Sequence, residues 1–392
     1  MPSLYCDHNA TTYIAPEVAE TMAAAARDIY GNPSSIHAAG QLARQALEKS
    51  RRTLADFLHA APDEFVFTSG GTESNNLTLL GVVRNLPGAR KHVITTSIEH
   101  PAVLETCRQL EREGVEVTFI EVENTGLVHA DRIRQNLHAH TVLISVMHAN
   151  NEVGAIQPIQ EIAALVREAR ASSGQEIYLH SDGVQAFAKI DSDVQQLGVD
   201  LYSVTAHKIF GPKGVGGLFV RKGTPLHSIQ YGGRHERGRR PGTENVPGAM
   251  AFARAVELYT PNDSSHVAEL RDLFEAEMLA AIPDLQINGT ADHRLPNTSN
   301  LLFPGISAEA LAIALDMKGI AVSTGAACSS GSTEPSHVML AMGRTREDAR
   351  SSVRFSFGRY NTREEVSRLV GAVVACLEQL RNAKQERRLV GV

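Results

Sequence analysis

Between residues 60 and 220 the chain alternates short apolar runs with amphipathic stretches of helical length. The runs Phe65–Thr68, His92–Thr96, Glu116–Val122, Thr141–His148, Ile177–Ser181, Leu201–Val204 and Gly217–Val220 have the length of buried strands. Between them, Thr72–Asn85, Pro101–Glu113 and Pro158–Ser172 repeat apolar residues at helical spacing. This β-α-β-α rhythm predicts an α/β fold: a mainly parallel seven-stranded sheet with helices on both faces. Two helices, Pro16–Tyr30 and Ala38–His59, come first, with Pro16 suited to a first turn and Gly31 to a C-cap. After about residue 250 the texture changes. Long helical patterns (Val246–Leu258, His266–Ala280, Ala308–Lys318, Arg363–Glu386) enclose short strands at Leu285–Asn288, Thr298–Phe303, Ile320–Ser323 and Ser352–Phe357. That predicts a smaller α+β C-terminal domain. Ser307 suits an N-cap, Thr362 with Glu365 has capping-box spacing, and residues 384–392 read as a frayed tail.

A chain of 392 residues with 43% hydrophobic content can bury a large core and a small one. The net charge of −6, with Arg234–Arg240 the one basic block, argues against nucleic acid or an anionic membrane as partner. The start of the sequence shows no basic or apolar region of a secretion signal, and no apolar run is long enough to span a bilayer. Cys6, Cys107, Cys328 and Cys376 are widely spaced, which fits a reducing cytoplasm and neither a disulfide framework nor a cysteine-rich zinc site. His138 and His140 are the closest histidine pair, and they lack the carboxylate or third ligand of a recognisable metal motif. No resident metal is expected.

Candidate chemistry collects where apolar runs end. Lys208 follows the run Leu201–Val204, behind His207 and ahead of the turn-forming G-P-K-G. Part-burial there would lower its pKa and free a nucleophilic amine, although a solvated loop cation has the same sequence. Ser69–Gly70–Gly71–Thr72 passes from strand to helix with the small residues that admit a phosphate to a helix N-terminus; an ordinary βα turn reads the same way. His100 stands at another helix start, where its ring could stack on a flat cofactor, move protons or face water. Asn150, Asp182 and Gln185 lie just past strands, where open α/β sheets bind ligands and where loop capping is also common. Arg354 sits inside an apolar strand, so its guanidinium needs an anion: a substrate carboxylate or a structural partner. Cys328 lies in a small-residue run with little bulk to bury it, which favours an accessible thiol.

Taken together and in order, D-H-N-A-T-T from Asp7, S-G-G-T-E-S-N-N, E-H-P-A-V, H-A-N-N-E-V-G, H-S-D-G-V-Q, A-H-K-I-F-G-P-K-G, R-P-G-T-E-N and the Cys328 run resemble the NifS/IscS-type cysteine desulfurases. Those are pyridoxal-phosphate enzymes of the class V aminotransferase family with fold type I. The resemblance implies a large cofactor-binding domain at 16–250 and a small domain at 1–15 and 251–392 carrying Cys328 and Arg354. It implies Lys208 as the Schiff-base lysine and Gly71, Thr72, Thr205 and His207 around the phosphate; the family most often has serine where Thr205 stands. His100 would stack on the ring, Asp182 would meet its nitrogen, and Asn150 and Gln185 would lie near its phenolic oxygen. Arg354 would hold the carboxylate of L-cysteine. Thr243 would reach the phosphate of a neighbouring subunit, implying a homodimer. Cys328 would take the sulfur as a persulfide, leaving L-alanine, and hand it to a scaffold or sulfur carrier. An iron–sulfur cluster in transfer is the one metal implied at that cysteine. The alternative is a selenocysteine lyase or another β-eliminating lyase.

Overall fold

The computed structural model describes residues 4–88, 90–324 and 334–390. Its strands are β1 (Leu4–Tyr5), β2 (Phe65–Thr68), β3 (His92–Thr96), β4 (Glu116–Ile120), β5 (Thr141–Ser145), β6 (Tyr178–Asp182), β7 (Leu201–Thr205), β8 (Gly216–Val220), β9 (Gln286–Ile287), β10 (Thr298–Leu302), β11 (Ile320–Ala321) and β12 (Ser352–Ser356).

Seven of them form one sheet in the order β2-β8-β7-β6-β5-β3-β4. Only β8 runs against its neighbours β2 and β7; the remaining pairs are parallel. Helices cover both faces, so inner strands bury nearly every residue, which is why they read as continuous apolar runs. Some of the polar residues they do contain are paired across strands, while Thr95 Oγ1 and Ser181 Oγ have no hydrogen-bond partner among the described residues. His180 on β6 bridges Ser145 Oγ at 2.8 Å and Ser203 Oγ at 3.0 Å, binding three strands through their side chains.

Helix limits follow the capping chemistry. His100 caps Pro101–Arg112 through Nδ1, and Pro101 occupies the first turn, where a missing N–H costs nothing. Ser307 caps Ala308–Asp316, and Thr362 and Glu365 exchange the two bonds of a capping box. Four short helices, Ala130–Gln135, Val194–Leu197, His337–Ala341 and Arg346–Arg350, escape the sequence pattern because each is barely one or two turns long. The last helix, Arg363–Val390, runs through most of the stretch that reads as a frayed tail.

Past the sheet, β12, β10 and β9 pair antiparallel, and β1 pairs with β11. Leu4 and Cys6 pack with Leu270, Phe274, Phe355 and Leu369 in a core separate from that of the sheet. Phe252 and Val256, and also Val338 and Met342, pack into the core of the sheet. Packing therefore crosses the domain division expected at residue 250.

Candidate active site

The C-terminal ends of the parallel strands open into one cavity of about 340 Å³. Nine of the residues singled out from the sequence line it: Gly71, Thr72, His100, Asp182, Gln185, Thr205, His207, Lys208 and Arg354. Eight of them, from 71 to 208, meet because the parallel strands end on one edge of the sheet, while Arg354 reaches the cavity from β12 of the second sheet.

Lys208 closes the short turn Ala206–Lys208 that follows β7. Its Nζ donates to the carbonyls of Asn9 and Ala10, each at 2.6 Å. The N-terminal segment wraps this turn. Thr12 donates through N and Oγ1 to the His207 carbonyl and accepts from the Phe210 N–H at 2.7 Å. Phe210 has a φ of 65°, rare for a bulky side chain, and is held there between His8, Tyr13 and Tyr360.

Asp182 ends β6. Oδ2 accepts from Asn75 Nδ2 at 2.6 Å and Oδ1 from the Val184 N–H at 3.0 Å. Opposite, helix Gly71–Val83 begins at the cavity with no side chain capping its first N–H groups. A Cβ on Gly71 would lie 2.6 Å from Val184 Cγ2, so glycine is what lets the helix start pack beside the Asp182 turn. Thr72, Thr205 and His207 surround that open N-terminus. Uncapped amides, a helix dipole, two hydroxyls and an imidazole form a cradle for a phosphate.

The electrostatics are those of a dry site. Burial lowers the pKa of His100, against the nearby Asp182 carboxylate. The His100 ring accepts from the Ala102 N–H through Nδ1 at 3.1 Å, which places its own proton on Nε2. Burial, with Lys208 beside it, lowers His207 to about 4. Lys189, half-buried, is pushed well below the ordinary lysine value by desolvation and by Lys208. It donates to Gln185 Oε1 at 2.9 Å and Asn9 Oδ1 at 3.2 Å.

Three of the expected residues are already engaged with protein partners. Asn150 does not line the cavity: Oδ1 accepts from the Glu152 and Val153 N–H groups, and Nδ2 donates to the Ile98 carbonyl at 3.1 Å. Its neighbour Asn151 lines the cavity instead. Gln185 reaches the cavity with its amide already spanning Asn9 and Lys189. Arg354 is buried and already has an anion, Asp7 Oδ1 at 2.7 Å, with the Asn151 carbonyl at 2.9 Å; its Nε has no hydrogen-bond partner. Thr243 is exposed and does not line this cavity. Its loop is tied to the cradle helix by Arg240 Nε on Glu73 Oε1 at 2.8 Å.

Cys328 lies outside the described residues. The chain before it meets the cavity wall at Arg354, and the chain after it meets Glu152 and Glu99 behind that wall. Ser323 exchanges backbone bonds with Arg354, Ser336 Oγ donates to Glu152 Oε2 at 2.6 Å, and His337 Nε2 meets the Glu99 carbonyl at 3.0 Å. Asn9, Asn75, Glu99, Glu152 and Lys189 are not among the residues the sequence singles out, although all but Lys189 lie inside the family-like motifs. Nothing local separates Asn75 from Asn76 or Glu152 from the amides before it, and Lys189 is a single polar residue in an apolar pattern.

The aminotransferase class-V family model matches residues 4–369. The chain belongs to that family. A cysteine desulfurase IscS of Dictyoglomus turgidum is 43% identical over 392 residues, covering 98% of each chain. A cysteine desulfurase IscS of Methanosarcina thermophila is 43% identical, covering 97% of this chain and 93% of its own. Among solved structures, a NifS-like protein superposes with a TM-score of 0.90 at 36% identity, covering 97% of this chain and all (100%) of that one. A structure described as SspA in complex with cysteine gives a TM-score of 0.81 at 33% identity, covering 92% of this chain and 100% of its own. The class-V family and these neighbours share the α/β fold described above, consistent with the fold type I of pyridoxal-phosphate enzymes.

Proposed function

We propose that this class-V protein is a pyridoxal-phosphate-dependent cysteine desulfurase that converts L-cysteine to L-alanine and leaves the sulfur on Cys328. The observation that carries the reading is the convergence of Lys208, Asp182 and the uncapped start of helix Gly71–Val83 on one cavity. That spacing of amine, carboxylate and anion cradle suits a phosphorylated pyridine aldehyde. Bound there, the cofactor would supply a carbonyl that condenses with the substrate amine and a ring that accepts the electron pair of the α-carbon.

This chain's residues would do the rest. Lys208 holds the cofactor between turnovers, then takes the α-proton and returns it. Asp182, fixed by Asn75 and the Val184 N–H, keeps a proton on the ring nitrogen. His100, uncharged and oriented by its bond to Ala102, covers the ring face. Arg354 receives the substrate carboxylate with the part of its guanidinium that Asp7 and Asn151 do not use. The Cys328 thiolate attacks the substrate sulfur; the C–S bond breaks, the S–S bond forms, and the electron pair returns to carbon, which is protonated to L-alanine. Cys328 is five residues past Ser323, and five extended residues reach at most about 17 Å, enough to place the thiol over a cavity that Ser323 already borders through Arg354.

The persulfide would pass to a scaffold or carrier protein, and Thr243 would complete the phosphate site of a second copy in a cytoplasmic homodimer. No described helix is long and apolar enough to cross a membrane. The test is Cys328→Ala. Alanine formation from L-cysteine should fall to background while the protein keeps its yellow chromophore. A selenocysteine lyase or another β-eliminating lyase would retain turnover of its own substrate in that variant.

A further inference from the structure

The edge of the sheet farthest from the cavity carries an unexplained cluster. In the parallel register His92 pairs with Glu116 on one side and Thr141 on the other, so the first residues of β3, β4 and β5 stand in a row. The turn before β5 adds His138 and His140 above that row. Ligand atoms of His92, Glu116 and His138 all lie within 4.8 Å of one another. Glu116 Oε1 is 3.2 Å from His138 Nδ1, and Oε2 is 2.8 Å from His140 Nε2. The sequence hid this arrangement, because the carboxylate that the H-x-H pair lacks locally sits 24 residues away from His140.

We propose that His92, Glu116 and His138, with His140 beside them, form a binding site for a divalent first-row cation such as zinc. Four geometric facts support it. His138 Nδ1 is buried and has no hydrogen-bond partner, although the carboxylate oxygen is in contact range. Two ligands bonded to one zinc at about 2.0–2.1 Å lie roughly 3.4 Å apart in a tetrahedral site, close to the 3.2 Å between Glu116 Oε1 and His138 Nδ1. His92 is fixed from behind: Thr141 Oγ1 meets Nδ1 at 2.8 Å and Thr118 Oγ1 meets Nε2 at 2.9 Å. One hydroxyl accepts from the ring and sets the tautomer; the other donates to the lone pair and can rotate away when a cation takes its place. His138 and Glu116 are 38% and 33% exposed, so an ion has a way in.

The donor set decides the class of ion. Imidazoles with a single carboxylate suit zinc, nickel or copper, whereas magnesium and calcium take sites built from oxygen. Arg90 competes for Glu116 Oε2 at 3.0 Å, but its side chain is 73% exposed and an exposed ion pair of this kind is weak. A bound ion would clip the edge strand β4 to β3 and to the turn before β5. Edge strands are otherwise free to pair with other chains, so the clip has a physical role independent of the cofactor.

The experiment uses the full-length holoprotein with Cys328 alkylated, so that its thiol cannot take the metal. Zinc is titrated calorimetrically into this protein and into His138→Ala and Glu116→Gln, and zinc-soaked crystals of the unaltered chain are measured at the zinc absorption edge. One zinc per chain should bind, each substitution should weaken it by at least about tenfold, and the anomalous peak should lie between His92, Glu116 and His138. Equal binding by the variants, no binding by the unaltered chain, or a peak elsewhere overturns the proposal.

Discussion

Lys208 and Glu99 show how single residues are tuned by where the chain puts them. Lys208 Nζ donates to the carbonyls of Asn9 and Ala10, so the N-terminal segment fixes where the amine points. Glu99, next to His100, is fully buried, and burial pushes its carboxyl up to about 8. Its Oε1 accepts from Thr96 and from the Met147 N–H, both at 2.8 Å. An acid whose folded pKa is raised binds its proton more tightly in the native state. Its stabilising effect is therefore present at low pH and is lost as pH rises from its ordinary value of 4.5 towards 8. Glu99→Gln keeps the acceptor and removes the titration. The stability of the unaltered chain relative to this variant should fall across that window by at most about 1.4 kcal/mol per pH unit. Urea unfolding at a series of pH values measures it; a constant difference would mean that Glu99 does not titrate there.

Among the elements, the start of helix Gly71–Val83 has the most to do. Its job depends on a bare N-terminus and on Val184 lying against Gly71. Alanine is the better helix former, so Gly71→Ala should leave the helix intact and push the cradle away from the Asp182 turn. Retention of the cofactor should drop at least about tenfold, read as absorbance remaining after dialysis, with far-ultraviolet circular dichroism unchanged. The strand ends were legible in the sequence for the same reason that they are functional: a buried parallel strand is a short apolar run, and polar residues just past it stand out. Asp182, His100 and Lys208 were found that way. Asn75 was not, because nothing in the polar run Thr72–Asn76 sets it apart from Asn76, and its meaning comes from Asp182, 107 residues later. Nor could spacing show that Asn150 ties its own turn together, or that Asp7 already partners Arg354 from the far end of the chain.

At the scale of the molecule, two cores are tied together by the segment that crosses between them. Leu4 and Cys6 join the C-terminal core, while Asn9–Thr12 passes into the cavity and clasps the Lys208 turn. The expected homodimer would add Thr243, whose exposed loop is anchored to the cradle helix. Thr243→Ala should remain dimeric by sedimentation and lose its cofactor several-fold faster; an unchanged rate would remove that residue from the site. The account as a whole stands on one amine and one thiol acting on the same substrate. Mass spectrometry of cysteine peptides after incubation with L-cysteine tests that most directly. A single added sulfur should appear on the Cys328 peptide, and should be absent in Lys208→Ala. Alanine formed with no such adduct, or with the sulfur on Cys6, Cys107 or Cys376, would contradict it.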